Sequence, residues 1–135
     1  MKKLLLLAIV GLMAASCEKQ GDELYMYSKD FEVLSGDWER HESDVDWYYY
    51  YTFRFDRLTR QVCDIGQVTA TRYITNSVQS QLPEVRLMDD FDLTWTETIR
   101  YQYAPGEITF IVSYSDAEFF PSQPGTMKFR AVLNW

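Results

Sequence analysis

Between residues 48 and 55 the chain sets Tyr49, Tyr51, Phe53 and Phe55 at odd positions and Tyr48, Tyr50, Thr52 and Arg54 at even ones. Successive side chains of an extended strand point to opposite faces, so strict alternation in aromatic and β-branched residues marks a strand. The pattern returns at Leu93, Trp95, Ile99, Tyr101 and Tyr103, then Ala104-Pro105-Gly106-Glu107, then Ile108, Phe110, Val112 and Tyr114. Proline and glycine stand where a type II turn needs them, so residues 93–114 read as a hairpin with one apolar face. Met127, Phe129, Ala131, Leu133 and Trp135 form a last strand, and the terminal Trp suggests an end tied into a sheet. Residues 61–75 are one long strand bulged at Gly66, or two strands turning there. Asp56–Arg60 and Ser115–Gly125 read as connections. The one helix expected is Ser28–Gly36, with Ser28 as N-cap, Asp30 in the first turn, Gly36 at the end, and Phe31 and Leu34 on one face. Seven or eight strands spaced near ten residues mean an all-β fold, either an antiparallel barrel or a β-sandwich.

The chain has 135 residues, enough for one domain. Its formal charge of −7 argues against nucleic acid, and 16% aromatic residues argue against disorder. Met1-Lys2-Lys3 precedes an uncharged apolar run, Leu4 to Ala15, and then Ser16-Cys17. A basic start, a short apolar stretch and small residues describe a secretory signal, since a membrane span needs about 20 residues. Ala14-Ala15-Ser16-Cys17 resembles the lipobox of bacterial lipoproteins, and Cys17-Glu18-Lys19 with Gly21-Asp22-Glu23 resembles the polar tether that follows it in Gram-negative members. The resemblance implies a signal peptide at 1–16, lipidation of Cys17, a tether at 17–27 and a domain at 28–135. It also implies a lipid-anchored protein of the cell envelope, at the outer membrane, where several acyl chains make a stable anchor; the acidic surface is expected to leave the holding to those chains rather than to the domain. Loss of the leader removes Lys2 and Lys3, and eleven basic residues against twenty acidic ones leave −9. Cys63 then has no disulfide partner. It reads as a small apolar side chain, since the one base a nucleophilic cysteine would find is His41.

Gly36-Asp37-Trp38 resembles the opening of the lipocalin and related calycin barrels. That likeness implies an antiparallel up-and-down β-barrel of about eight strands, plugged at one end by Trp38, that binds a small apolar or amphipathic ligand. These families place an arginine of the last strand over the Trp; Arg130 is on that strand, at opposite parity to Phe129 and Ala131. Candidate interior residues are Trp38, Tyr49, Tyr51 and Phe110, with Trp95, Glu97 and Tyr101 on the hairpin and Arg72 from the 61–75 segment. A barrel of this size is either filled by side chains or holds one small ligand. Glu97 lies on an apolar face between Trp95 and Ile99, and Arg72 shares parity with Val68 and Ala70. A buried carboxylate needs a partner, so the two are expected to pair or to grip a polar ligand head.

Glu39, His41, Glu42, Asp44 and Asp46 surround the single histidine, and Asp89-Asp90-Phe91-Asp92 is acidic. Regular strand geometry sets Glu39 and His41 opposite Glu42, and the second run lacks the glycine and terminal Glu of a calcium loop. They read as a solvated strand end and an acidic turn, with no metal or other cofactor. Tyr48 and Tyr50 offer an outer aromatic platform for a glycan or partner protein, or simply pack across strands. No phosphate loop, HExxH, GxSxG or second histidine is present, so a non-enzymatic role is expected. Two readings follow: a carrier of an interior ligand, or an accessory protein with a filled core that meets its partner through outer aromatics.

Overall fold

A computed structural model describes residues 25–90, 93–115 and 123–135. The elements run β1 (Met26–Val33), β2 (Glu39–Glu42), β3 (Trp47–Arg54), α1 (Arg60–Ile65), β4 (Gln67–Tyr73), β5 (Gln79–Gln81), β6 (Glu84–Asp90), β7 (Leu93–Ala104), β8 (Glu107–Tyr114) and β9 (Met127–Asn134). The protein is all-β, with every pairing antiparallel. One sheet has the order β1-β9-β4-β5 and the other β2-β3-β8-β7-β6. Among the described residues neither sheet closes on itself and no ladder joins them. The order also departs from a meander: β9 lies between β1 and β4, and β3 pairs with β8. Two open sheets fit the sandwich alternative at least as well as the expected barrel.

The inner faces follow the alternation. β9 buries Met127, Phe129, Ala131 and Leu133, and β8 buries Ile108, Phe110 and Val112. The rings of Phe110 and Phe129 stack across the sheets at 4.0 Å and 7°. Phe31 of β1 meets Phe53 at 4.9 Å and Phe55 at 5.2 Å. The hairpin β7–β8 turns at Gly106, whose φ of +86° is the left-handed conformation that its place in the turn demands. Trp135 is tied in as expected: its N–H donates to Tyr25 O (3.1 Å), and Tyr25 N–H donates to Trp135 O (3.0 Å).

Two segments differ from the sequence reading. Ser28–Val33 is strand, not helix, and β1 begins at Met26, inside the expected tether. All eight residues of β1 pair with β9, and it is Phe31 and Val33 that go inward while Leu34 stays exposed. A ladder of that length outweighs one or two capped helical turns, which are marginal alone. The second difference is α1, where strand was expected. The Thr59 hydroxyl caps it by accepting from Val62 N–H (3.3 Å), and Gly66 N–H closes it by donating to Val62 O (2.9 Å). Gly66 is thus a helix end, not a bulge. The chain changes sheets again at Leu82-Pro83, joined by a cis peptide bond.

Candidate functional site

Arg72 and Glu97 both point into the space between the sheets; Glu97 is only 4% exposed. They do not pair with each other as expected, because β6 inserts a charge of opposite sign beside each. Arg72 Nε donates to Glu84 Oε2 (2.8 Å) and Nη2 to Oε1 (2.9 Å), a two-point clamp from β4 of one sheet to β6 of the other. Arg86 Nε donates to Glu97 Oε1 (3.0 Å), and its Nη2 donates to the same oxygen. Glu97 faces Arg86 because the two are register partners across β6 and β7. The Arg72 hydrogen bond holds the Glu84 carboxyl below its usual range against the opposing effect of burial. The Glu84 bond raises Arg72 in turn. Burial, then the charge of Glu97 and a hydrogen bond to it, pushes the Tyr114 hydroxyl well up. Two cations and two anions therefore neutralise one another internally, and Tyr114 completes the group.

The other interior candidates are engaged in packing. Tyr49 and Phe110 are fully buried. The Trp38 indole is buried edge-on to Phe129 at 6.4 Å, and its Nε1–H donates to Gly125 O (3.0 Å). Tyr101 donates its hydroxyl proton to Val68 O (2.9 Å), bridging the sheets. Tyr51 is half-buried and meets Phe53 edge-on at 4.7 Å. Trp95 is half-buried on β7, opposite Met88 of β6. Arg130 does not cover Trp38: it points outward, and its Nε donates to Asp30 Oδ1 (3.0 Å). A cleft of about 160 Å³ lies at the end of the β7–β8 hairpin, lined by Gln102, Tyr103, Ala104, Glu107 and Thr109, none of them an interior candidate.

The outer face of the second sheet carries a different arrangement. His41 of β2 stacks on Tyr48 of β3 at 4.6 Å and 23°, and Tyr50 meets Tyr48 edge-on at 6.0 Å. The Arg100 guanidinium of β7 lies 5.8 Å over the Tyr48 ring. Ile111 lies between its cross-strand partners Tyr50 and Arg100 and is 1% exposed, although it faces away from the core. The aromatic group therefore closes over an apolar side chain, and cross-strand packing is part of its work. What remains accessible are ring edges, hydroxyls and a guanidinium, a composition enriched where proteins meet. The sequence displayed Tyr48 and Tyr50. It did not display Arg100 or Ile111, which join them only through the β3–β8–β7 order.

The acidic residues divide among local bonds. Asp46 accepts from the Ser43 hydroxyl (2.8 Å) and lies 3.7 Å from His41 Nε2, while Arg40 meets Glu42 at 3.5 Å. Among the described residues no three His, Cys, Asp or Glu side chains converge on a point that could hold a metal. Asp89 and Asp90 end β6 rather than forming a turn, and Phe91 and Asp92 lie outside the described residues. Cys63 is half-buried against the core, and burial, followed by Asp64, raises its thiol pKa. That is the reverse of what an attacking thiolate requires. Cys17 lies outside the described residues. No family model, curated protein or solved structure matches the chain.

Proposed function

We propose that the chain is a lipid-anchored, non-enzymatic accessory protein of the cell envelope that engages a partner protein through the outer face carrying Tyr48, Tyr50 and Arg100. The observation that carries this reading is the satisfied interior. Phe110 lies against Phe129 at 4.0 Å, and Arg72 and Glu97, the groups best suited to grip a ligand head, already hold Glu84 and Arg86. A ligand there would have to displace charge-assisted hydrogen bonds and replace them with its own. The outer group is favoured for a protein over a glycan because a sugar needs an open ring face. The Tyr48 ring is engaged by His41 and by Arg100. The lipidated start at Cys17 rests on the lipobox pattern and the basic, apolar run before it.

The carrier reading, with a lipocalin-like barrel, draws support from Trp38, which is buried and hydrogen-bonded much as a barrel plug would be. Native mass spectrometry of the mature protein from its own membranes separates the two. The accessory reading expects no retained small molecule, and a protein partner that is lost with Arg100→Glu, a change that reverses the charge while keeping an extended stem near Ile111. A small molecule retained at one-to-one stoichiometry overturns it in favour of the carrier.

A further inference from the structure

The end of the domain where the described chain begins gathers aromatic and aliphatic side chains at the surface. Tyr25 stacks on Trp135 at 5.7 Å and 21°, and the two exchange backbone hydrogen bonds. Met26, the register partner of Asn134, is 74% exposed, and Ile65 at the end of α1 is 71% exposed. Ile65 belongs to the same end because Gly66, the next residue, abuts Asn134 and Trp135 so closely that a Cβ there would lie 2.6 Å from Asn134 O. Two aromatic side chains and two bare aliphatic ones thus occupy one pole. Two arginines accompany them, with acidic neighbours: the Arg57 guanidinium lies 4.8 Å over Tyr27 next to Asp56, and Arg60 opens α1, which also holds Asp64.

The opposite pole is acidic. β3 runs away from the β2–β3 turn toward Phe55, which bonds Gly106 at the near end (2.7 Å), so the turn with Ser43, Asp44 and Asp46 lies at the far end. β7 runs the same way, which sets Asp89, its partner in β6, at the far end too. The far pole carries acid together with the exposed Val45, and the near pole carries aromatic, aliphatic and mixed charged groups, Asp56, Asp64 and Glu107 among them.

We propose that the pole bearing Tyr25, Met26, Ile65 and Trp135 seats in the headgroup region of the membrane in which Cys17 is anchored. The inference rests on the lipidation of Cys17 stated above. Eight residue steps separate Cys17 from Tyr25, so even a fully extended connection reaches no more than about 29 Å. The pole is therefore confined close to the lipid surface. Confinement makes a weak contact effective, because binding becomes intramolecular. Trp and Tyr favour the membrane–water interface and Met26 and Ile65 supply aliphatic surface, while the near pole, where Arg57 and Arg60 balance Asp56 and Asp64, is repelled by anionic headgroups less than the acidic β2–β3 turn would be. Seated this way, the domain stands with its β2–β3 turn outward, and the Tyr48 face runs up its side.

The test uses the mature, acylated protein in vesicles of three parts phosphatidylcholine to one part phosphatidylglycerol, with and without bromine on the acyl chains near the headgroups. Bromine quenches tryptophan only at short range. Wild-type emission is expected to fall in brominated vesicles, and the fall to vanish in Trp135→Phe, which leaves the other three tryptophans. The exposed-site double variant Met26→Asp/Ile65→Asp should stay vesicle-bound through its acyl chains yet lose the quenching. Acylated wild type that shows no quenching, or the same quenching in Trp135→Phe, overturns the seating and leaves the anchor standing. An unacylated Cys17 mass overturns both.

Discussion

Arg72 stands at the crossing of two effects that pull in opposite directions. Its ion pair with Glu84 ties the sheets together, yet a buried pair returns little more than its desolvation cost, so removing one partner is what hurts. Arg72→Met should lower stability by about 3 kcal/mol in urea unfolding, and Arg72→Met with Glu84→Leu should recover most of that loss. A single variant as stable as wild type would show the pair to be idle. Stability should also fall toward both ends of the pH scale. Glu84 has a depressed folded pKa, so its contribution is present above its ordinary value of 4.5 and is lost as pH falls through the folded value. Tyr101 and Tyr114 are raised, chiefly by burial, so theirs is present below the ordinary value of 10.0 and is lost as pH rises through the folded values. Urea midpoints across pH 3 to 11 check both limbs. The parity of Arg72 and Glu97 was readable in the sequence. Their partners were not, because β6 carries an inverted pattern: Glu84 and Arg86 point inward while Val85 and Leu87 stand exposed. An alternation with its apolar residues outside gives no hint of which face is the core.

The elements legible beforehand are those whose alternation is long and apolar on one side: β3, β7, β8 and β9. The misread ones carry local signals that suit more than one structure. Ser28, Asp30 and Gly36 look like caps, but β9 pairs all eight residues from Met26 to Val33, Ser28 and Asp30 among them. In α1 the decisive residue is Thr59, a cap that the polar composition around it hid. The junction of α1 and β4 is where backbone approaches backbone most tightly. A methyl group on Gly66 would meet Asn134 O at 2.6 Å and Val62 O at 2.8 Å, and neither is a flexible side chain that can swing aside. Gly66→Ala should therefore cost about 2 kcal/mol, read as a lowered urea midpoint with an unchanged slope. An unaffected midpoint would mean that the helix end shifts freely. Gly36→Ala, where nothing lies within 4 Å of the added carbon, is the control.

At the scale of the molecule, the two sheets depend on each other through a few side chains near the middle, Phe129 among them: it faces Phe110 at 4.0 Å and Trp38 at 6.4 Å. Phe129→Ala should cost about 4 kcal/mol and lower the thermal midpoint, with both sheets melting in one transition by near- and far-ultraviolet dichroism. Separate melting of the two signals would show that the sheets are independent. The fold class was legible because alternation is a local property. The division into two open sheets was not, since it depends on β9 entering between β1 and β4. That placement has a consequence for timing. Met26 finds its register partner at Asn134, and Gln67 finds its own at the same residue. Strands separated so widely along the chain pair late and slowly. In the export we propose, β1 has no strand to zip to until β9, the last segment, has emerged, so the leading end of the thread stays slack while it moves.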